Sequence, residues 1–425
     1  MRDKIKDKLL NKGIRIEMML FLILIAVVAL GNNMGDSVFS NYFKEVYNVT
    51  ASQRAFIEFP RELPGLLCAL VIGGLSFLGD VKTVVVTQIL ASISLMALGL
   101  LTPPFGIMLI FLFTNSLGMH LFMPLSDSIG MSLAESDKVG QRMGQYGSIR
   151  TLVSFLAGII VFFGFRTGSF SFSSDIKWIF ILGACIFAVA IVASLFLVKY
   201  TKGMSISGGS KKFRLVFRYR YRYYYILTIL HGVQKQIAFV FGSWVIVDLL
   251  LKGADIMSLL TIISSFIGIF FLRLVGKVMD KLGIRFMLFT EALIFIFVYT
   301  IYGFVVWYIS ENAIAGSGLS VMLVYLLFIL DRLSMQLSIV KSVYLRSIAY
   351  DQSEITSVLS TGTSLDHIVA ILAAQLSGFI WTQFGPQYVF FMAAILSLGN
   401  LFVAWRVKPD NEAKVEAAAE AEAEA

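Results

Sequence analysis

Apolar residues fill most of this chain in unbroken stretches, too long for a half-buried strand and too uniform for a helix with one solvent face. A helix that crosses a bilayer needs about 20 mostly apolar residues. Twelve stretches meet that need: 17–43, 55–79, 83–102, 106–134, 144–166 and 176–199, then 223–250, 255–279, 284–309, 319–348, 354–384 and 387–407. Short charged or glycine-bearing turns separate them. The pattern predicts an all-α membrane protein with twelve transmembrane helices, six on either side of a polar stretch at 200–222.

Composition and charge sharpen that picture. Of 425 residues, 58% are hydrophobic and 15% charged, with a mean hydropathy of +0.82; a water-soluble domain is excluded. The formal net charge of +8 suits nucleic acid in principle, but its placement in short loops points to membrane topology. Basic residues gather at alternate ends of the spans: the N-terminus, Lys82, Lys138 with Arg142, the 199–222 segment, 276–285, Arg346, and Arg406 with Lys408. Since basic loops stay on the cytoplasmic side, both termini are expected there. The domains expected are a cytoplasmic N-terminus (1–16), a first six-helix bundle (17–199), a cytoplasmic linker (200–222), a second bundle (223–407) and an acidic low-complexity tail (408–425). No small-residue cleavage site follows the first apolar run, so an uncleaved first helix is expected. Cys68 and Cys185 lie inside apolar runs and read as packed thiols. Arg214, Arg218, Arg220 and Arg222, interleaved with Tyr219, Tyr221 and Tyr223 to Tyr225, read as an interfacial segment facing lipid headgroups, not RNA.

The most specific stretch is Gly276-Lys277-Val278-Met279-Asp280-Lys281-Leu282-Gly283-Ile284-Arg285, a charged turn between two apolar runs. Gly276 is expected to admit a close neighbouring helix and Gly283 to take positive φ. Asp280 is suited to accept from helix N-terminal amides, while Lys281 and Arg285 hold the loop on the cytoplasmic side. The spacing Gly-x-x-x-Asp-Lys/Arg-x-Gly-x-Lys/Arg between two membrane spans resembles the loop signature of the major facilitator superfamily. The resemblance implies two pseudo-symmetric six-helix bundles, with helices one, four, seven and ten lining a central cavity. The first-half loop departs from the signature: Ser76 stands in place of the first glycine, and Asp80 lacks the basic residue and glycine that should follow. The fifth span also lacks the Gly-Pro-x-x-Gly-Gly run of the superfamily's drug/proton antiporters.

A repeat agrees with two halves. A shift of 200 aligns Asp280 with Asp80 and Gln236 with Asp36, while a shift of 215 aligns Ala349 with Ala134 and Gly362 with Gly147. The extra length falls in the loop around Ser310–Gly318.

Candidate site residues are the polar ones at membrane depth, because a charge at the bilayer centre costs several kcal/mol unless it has a partner or a cavity. Asn32, Asp36 and Ser40 share one helical face, with Asn33 beside them. In an antiparallel hairpin of the first two spans Asp36 meets Arg61 in depth, as a static bridge or as an outer gate; Glu62 adjoins it. Ser116 and His120 lie one turn apart, the histidine either titrating or packing, and Asp127 with Arg142 or Arg150 forms a loop charge cluster. His231, Gln234 and Lys235 share a face of the seventh span, and Asp331-Arg332 with Gln336 sit mid-way along the tenth. Asp366 with His367 forms a candidate proton site, since a carboxylate in low dielectric and an imidazole both titrate near neutrality. Glu291 reads as a packing or near-interface group.

Enzyme motifs are missing: there is no metal-ligand spacing, no nucleophile elbow and no phosphate loop. ATP-driven transport, an enzyme activity and a cofactor are therefore not expected, and no pore loop or charge ring suggests a channel. The expectation is a secondary transporter in the plasma or inner membrane, moving a small anionic or zwitterionic organic solute by alternating access with proton coupling. Arg332 or Lys235 would hold the acidic group and Asp36, Asp366 or His367 the proton. The expected partners are that solute, protons and membrane lipids, for a monomer. Efflux of amphipathic cations, with Asp36 and Glu62 as the acids, is one alternative, and a non-transporting receptor or scaffold with this fold is another.

Overall fold

The structure, a computed structural model, describes residues 15–135, 139–202, 204, 216–312, 318–349 and 352–408. The basic run before Arg15, Lys138, Arg214 with most of the 200–222 linker, the insert at 313–317 and the acidic tail from Pro409 lie outside these residues. Among the described residues every regular element is helical. In chain order they are α1 (Ile16–Tyr47, interrupted at Ser37 and Val38), α2 (Ala51–Gly74), α3 (Asp80–Leu101), α4 (Phe105–Leu133), α5 (Val139–Arg166) and α6 (Trp178–Tyr200). Next come α7 (Arg222–Gln236, prolonged to Leu249), α8 and α9 (together Ala254–Asn312), α10 (Leu319–Ile348), α11 (Gln352–Gln383) and α12 (Gln387–Arg406).

Nine of the helices among the described residues are long and apolar enough to cross a membrane. One of them is Ala254–Asn312, whose 59 residues would stretch to about 90 Å if straight at ~1.5 Å per residue. A bilayer core is about 30 Å thick, so this segment has to turn. It turns at Gly283, where φ is 83° and ψ 170°, a conformation that a Cβ disfavours. Many large apolar side chains are left uncovered on helix surfaces, among them Phe163, Leu195, Phe297, Phe304, Ile395 and Leu398. Water penalises such a surface and lipid does not: the chain is a multi-pass membrane protein.

Unusual backbone angles echo the repeat. Eight described residues have positive φ, and they fall at matching joints of the two halves: Asn48 with Leu251, Gly79 with Gly283, Thr102 with Gly318, and Gly168 with Gly385. The spacing grows from 203 and 204 residues to 216 and 217 across the four pairs, in step with the two sequence shifts. The first helical segment of each half also ends at the aligned positions Asp36 and Gln236. Beyond Asp36 the helix breaks and resumes at Phe39; beyond Gln236 it widens into π turns at Ile237–Phe241 and Val245–Leu249.

By proximity the chain divides into two compact units, residues 1–46 with 63–212 and residues 47–62 with 213–425. In the first, α1 packs on α5 and α6, and α3 on α4 and α6. In the second, α12 packs on the α8–α9 segment and α7 on α11. Residues 47–62, which the apolar pattern assigns to the first bundle, group with the second unit because the start of α2 lies along α11. The core of the second unit includes Tyr221, Tyr224 and Tyr225 with Met287, Leu288, Val340, Tyr344 and Val403. This corrects the interfacial reading of those three tyrosines. Their rings are large apolar bodies at the entrance of a helix, and burial against α9, α10 and α12 wins over the headgroup region. Tyr219 does stay exposed, with Arg222 stacked 3.9 Å from its ring centre. Cys185, expected to be packed, is exposed on α6, while Cys68 donates to the His120 carbonyl at 3.3 Å.

Candidate functional site

The second unit concentrates charge where α2, α7 and α11 meet. A seam of small and polar groups brings α2 onto α11: Ser52 Oγ is 2.8 Å from Thr382 Oγ1, and Gln375 Nε2 donates to the Ala55 carbonyl at 2.9 Å. Gly378 sits between them, and a Cβ there would fall 2.4 Å from that of Ala55. Its missing side chain permits the approach. Two turns further along α2 this seam ends at Glu62.

Glu62 accepts three bonds. Gln236 Nε2 donates to Oε1 at 3.1 Å, and Lys235 Nζ at 3.4 Å and His367 Nδ1 at 2.7 Å both reach Oε2. Lys235 also donates to Asp366 Oδ2 at 2.7 Å, and His231 Nδ1 lies 3.3 Å from Asp366 Oδ1. His231 and Lys235 stand one turn apart on α7, hence on one face. Asp366 and His367 are adjacent on α11 and point about 100° apart, so they do not form the joint site expected of them. Asp366 faces α7, His367 faces Glu62, and Lys235 connects the two. The result is a partly buried chain of two carboxylates, one ammonium and two imidazoles.

Other predicted site residues go elsewhere. Gln234, expected beside His231 and Lys235, is fully buried, and its Nε2 donates to Ser397 Oγ and Asn400 Oδ1, both at 2.9 Å. It ties α7 to α12 instead, and Gln236 joins Glu62. Arg61 donates to Glu58 at 2.9 Å, and Glu58 also pairs with Arg54 at 2.5 Å. Asp36 is exposed at the end of the first helical segment. On α10, Asp331 is buried, while Arg332 donates to Ser243 Oγ at 3.1 Å and lies 3.9 Å from the Phe239 ring centre and 4.8 Å from that of Phe328. Gln336 packs over Gly268 of α8.

In the first unit, Asn33 donates to the Ala29 carbonyl at 2.7 Å and to Ser154 Oγ at 2.8 Å, as a helix-packing residue does. Asn32 is partly buried on the same helix. His120 Nδ1 lies 3.0 Å from Ser116 Oγ on its own helix. Asp127 pairs with Arg150 at 3.2 Å, whereas Arg142 takes Glu135 at 2.9 Å. Asp80 opens α3 and accepts from Ser128 Oγ at 2.8 Å. In the 276–285 loop Gly283 has the expected positive φ, but a Cβ on Gly276 would meet open space, which removes the close-approach role given to it. Asp280 and Lys281 are exposed, and Arg285 Nη2 donates to the Trp405 carbonyl at 3.3 Å.

Sequence reasoning passed over Lys341. Lys341 interacts electrostatically with Asp366, Glu291 and Lys235. The signal was available, since it is a lysine inside the apolar run 319–348. Among the described residues no three His, Cys, Asp or Glu side chains are grouped to hold a metal ion.

The sequence profile of the Major Facilitator Superfamily matches residues 21–365. The chain belongs to that superfamily. No curated protein sequence matches it. Solved superfamily structures of similar fold include the nucleoside transporter NupG, 14% identical with a TM-score of 0.69 over 93% of this chain and 100% of the other. A D-xylose-proton symporter is 16% identical with a TM-score of 0.68 over 93% and 98%. A bacterial homologue of the iron transporter ferroportin, in an inward-facing state, is 14% identical with a TM-score of 0.69 over 92% and 98%. At these identities the likeness establishes a superfamily transporter fold.

Proposed function

We propose that this chain is a secondary active transporter that moves a small anionic or zwitterionic organic solute by alternating access, coupled to protons. It would cross the plasma or inner membrane twelve times as two related six-helix bundles, act as a monomer, and keep both termini in the cytoplasm. The observation that carries the reading is Lys235 shared between Glu62 and Asp366, with His367 and His231 at the two ends. An ammonium held by two internal carboxylates is a site where an acidic group of the solute can displace one of them. Exchange of one carboxylate for another avoids the 3–5 kcal/mol that a stripped buried charge costs. The displaced acid then needs a proton or a new partner, which ties solute binding to proton movement. The α2–α11 seam stands at the end of this site, and access from that side requires it to part. The similarity in fold to a transporter described as a proton symporter is consistent with this coupling.

Thermal-shift screening of a metabolite library finds the solute, because a bound solute raises the melting temperature. Uptake of that solute into proteoliposomes is then measured with and without an imposed pH gradient. The expected result is gradient-driven uptake that Lys235→Ala abolishes and Arg332→Ala weakens. Uptake indifferent to the gradient removes proton coupling, and unchanged kinetics in both variants remove the anion-binding assignment. Reporters fused after Lys199 and after Ser317 test the topology: a cytoplasmic signal from the second overturns the twelve-span map.

A further inference from the structure

Beyond the Lys235 network the second unit holds a carboxylate in a different condition. Asp331 is 1% exposed, and neither of its oxygens has a hydrogen-bond partner among the described residues. Glu62 and Asp366 each accept bonds from a cation and an imidazole, which keeps them charged at little cost. Asp331 has nothing equivalent. Its sequence neighbour Arg332 turns away to Ser243, Phe239 and Phe328.

The polar groups that do face Asp331 are Tyr299 and Tyr302 of α9. Both also set their hydroxyls against the main chain of the widened part of α7. Tyr299 donates to the Gln234 carbonyl at 3.3 Å and Tyr302 to the Gly242 carbonyl at 3.2 Å. These two carbonyls flank the π turn Ile237–Phe241, where the ordinary helical ladder is interrupted. Tyr299 can share its proton between the Gln234 carbonyl and Asp331, whereas Tyr302, while it donates to Gly242, offers Asp331 only a lone pair. A bare carboxylate in that place, with one neutral donor at most and no cation bonded to it, is costly in a dry interior. A proton on either oxygen turns the carboxyl into a donor to a phenol oxygen and removes the charge. Gly242 borders the same place: a Cβ there would lie 3.4 Å from Asp331 Oδ2 and 3.8 Å from the Tyr302 hydroxyl.

We infer that Asp331, rather than Asp36, Asp366 or His367, is the acid that binds the coupled proton. In the arrangement seen here it is the neutral carboxylic acid, closed off by Tyr299, Tyr302 and Gly242. Uptake forms an O–H bond on the carboxylate as hydronium gives up its proton and becomes water. Release reverses this once a change in α7 or α10 admits water to the carboxyl. The assignment rests on the proton-coupled reading above.

Infrared difference spectroscopy of the protein in proteoliposomes, which needs no solute, tests it. The carbonyl band of a protonated carboxyl, recognised by its shift in deuterium oxide, is recorded at neutral pH for Glu291→Gln and for Glu291→Gln combined with Asp331→Asn. The shared substitution removes the band of another buried acid. The expected result is a band present in Glu291→Gln and lost in the double variant, unmoved in Glu291→Gln by exchanging potassium for sodium chloride. A band that persists in the double variant, or is absent from Glu291→Gln, overturns the assignment alone. A band that disappears on adding sodium assigns the site to a metal cation and overturns it too. Solute uptake by wild type that ignores a pH gradient overturns the coupling reading and the assignment with it, so the two failures are distinguishable. Where Asp331→Asn does not give folded protein, Tyr302→Phe replaces it: the band must shift as its phenol acceptor is removed, and an unmoved band counts against the site.

Discussion

Replacing Lys235 with alanine isolates the energetic logic of the charged chain. The ammonium lies 2.7 Å from Asp366 Oδ2 and 3.4 Å from Glu62 Oε2, so the two carboxylates approach each other to within about 6 Å. At an effective dielectric constant of about 20, two like charges at about 6 Å repel by about 3 kcal/mol. All three side chains are less than a quarter exposed, so solvent screens this only in part. Lys235→Ala is therefore expected to destabilise the protein by about 3 kcal/mol, within the range for a buried pair deprived of one member. Removing the repulsion by Asp366→Asn in the same chain should restore most of the loss and leave a deficit of about 1 kcal/mol, which makes the two substitutions strongly non-additive. Reversible unfolding by SDS in mixed micelles, followed by tryptophan fluorescence, measures the four free energies of the cycle. A coupling energy below about 0.5 kcal/mol would show that water or a displaced side chain already compensates the carboxylates, and the argument from shared charge would fail.

Three further outcomes follow from the geometry. Gly378→Val should push α2 off α11 and cost about 1–3 kcal/mol through overpacking; in a chain with Cys68 and Cys185 replaced by serine, it should also abolish the disulfide expected of Ser52→Cys with Thr382→Cys, and undiminished cross-linking would contradict the seam. Gln234→Leu should destabilise by about 1–3 kcal/mol, because Ser397 and Asn400 lose their donor in a buried place, while the affinity for solute stays at the wild-type value; a weakened affinity in binding assays would return Gln234 to the site. Arg332→Lys should fail to rescue the loss seen in Arg332→Ala, since a lysine keeps the charge but not the planar stacking on Phe239 and Phe328; wild-type uptake by the lysine variant would show that charge alone matters.

The sequence by itself determined the membrane class, the approximate spans, the relation between halves and the backbone at Gly283. These depend on run length, residue type and local conformation, and all are properties of consecutive residues. It also marked His231 and Lys235 as sharing a face, because helical period is local. What it left undecided was which face meets which helix. Glu62 and Lys235 are 173 residues apart, and no local rule says that the start of α2 lies on α11 or that Asp366 and His367 separate to different partners. Only packing decided that Gln234 serves α12 and Gln236 serves Glu62, since their partners lie more than 160 residues away in the chain. The same packing sets Tyr299 and Tyr302 against Asp331 and bonds no cation to it, a condition set by helices meeting in space and by no residue alone.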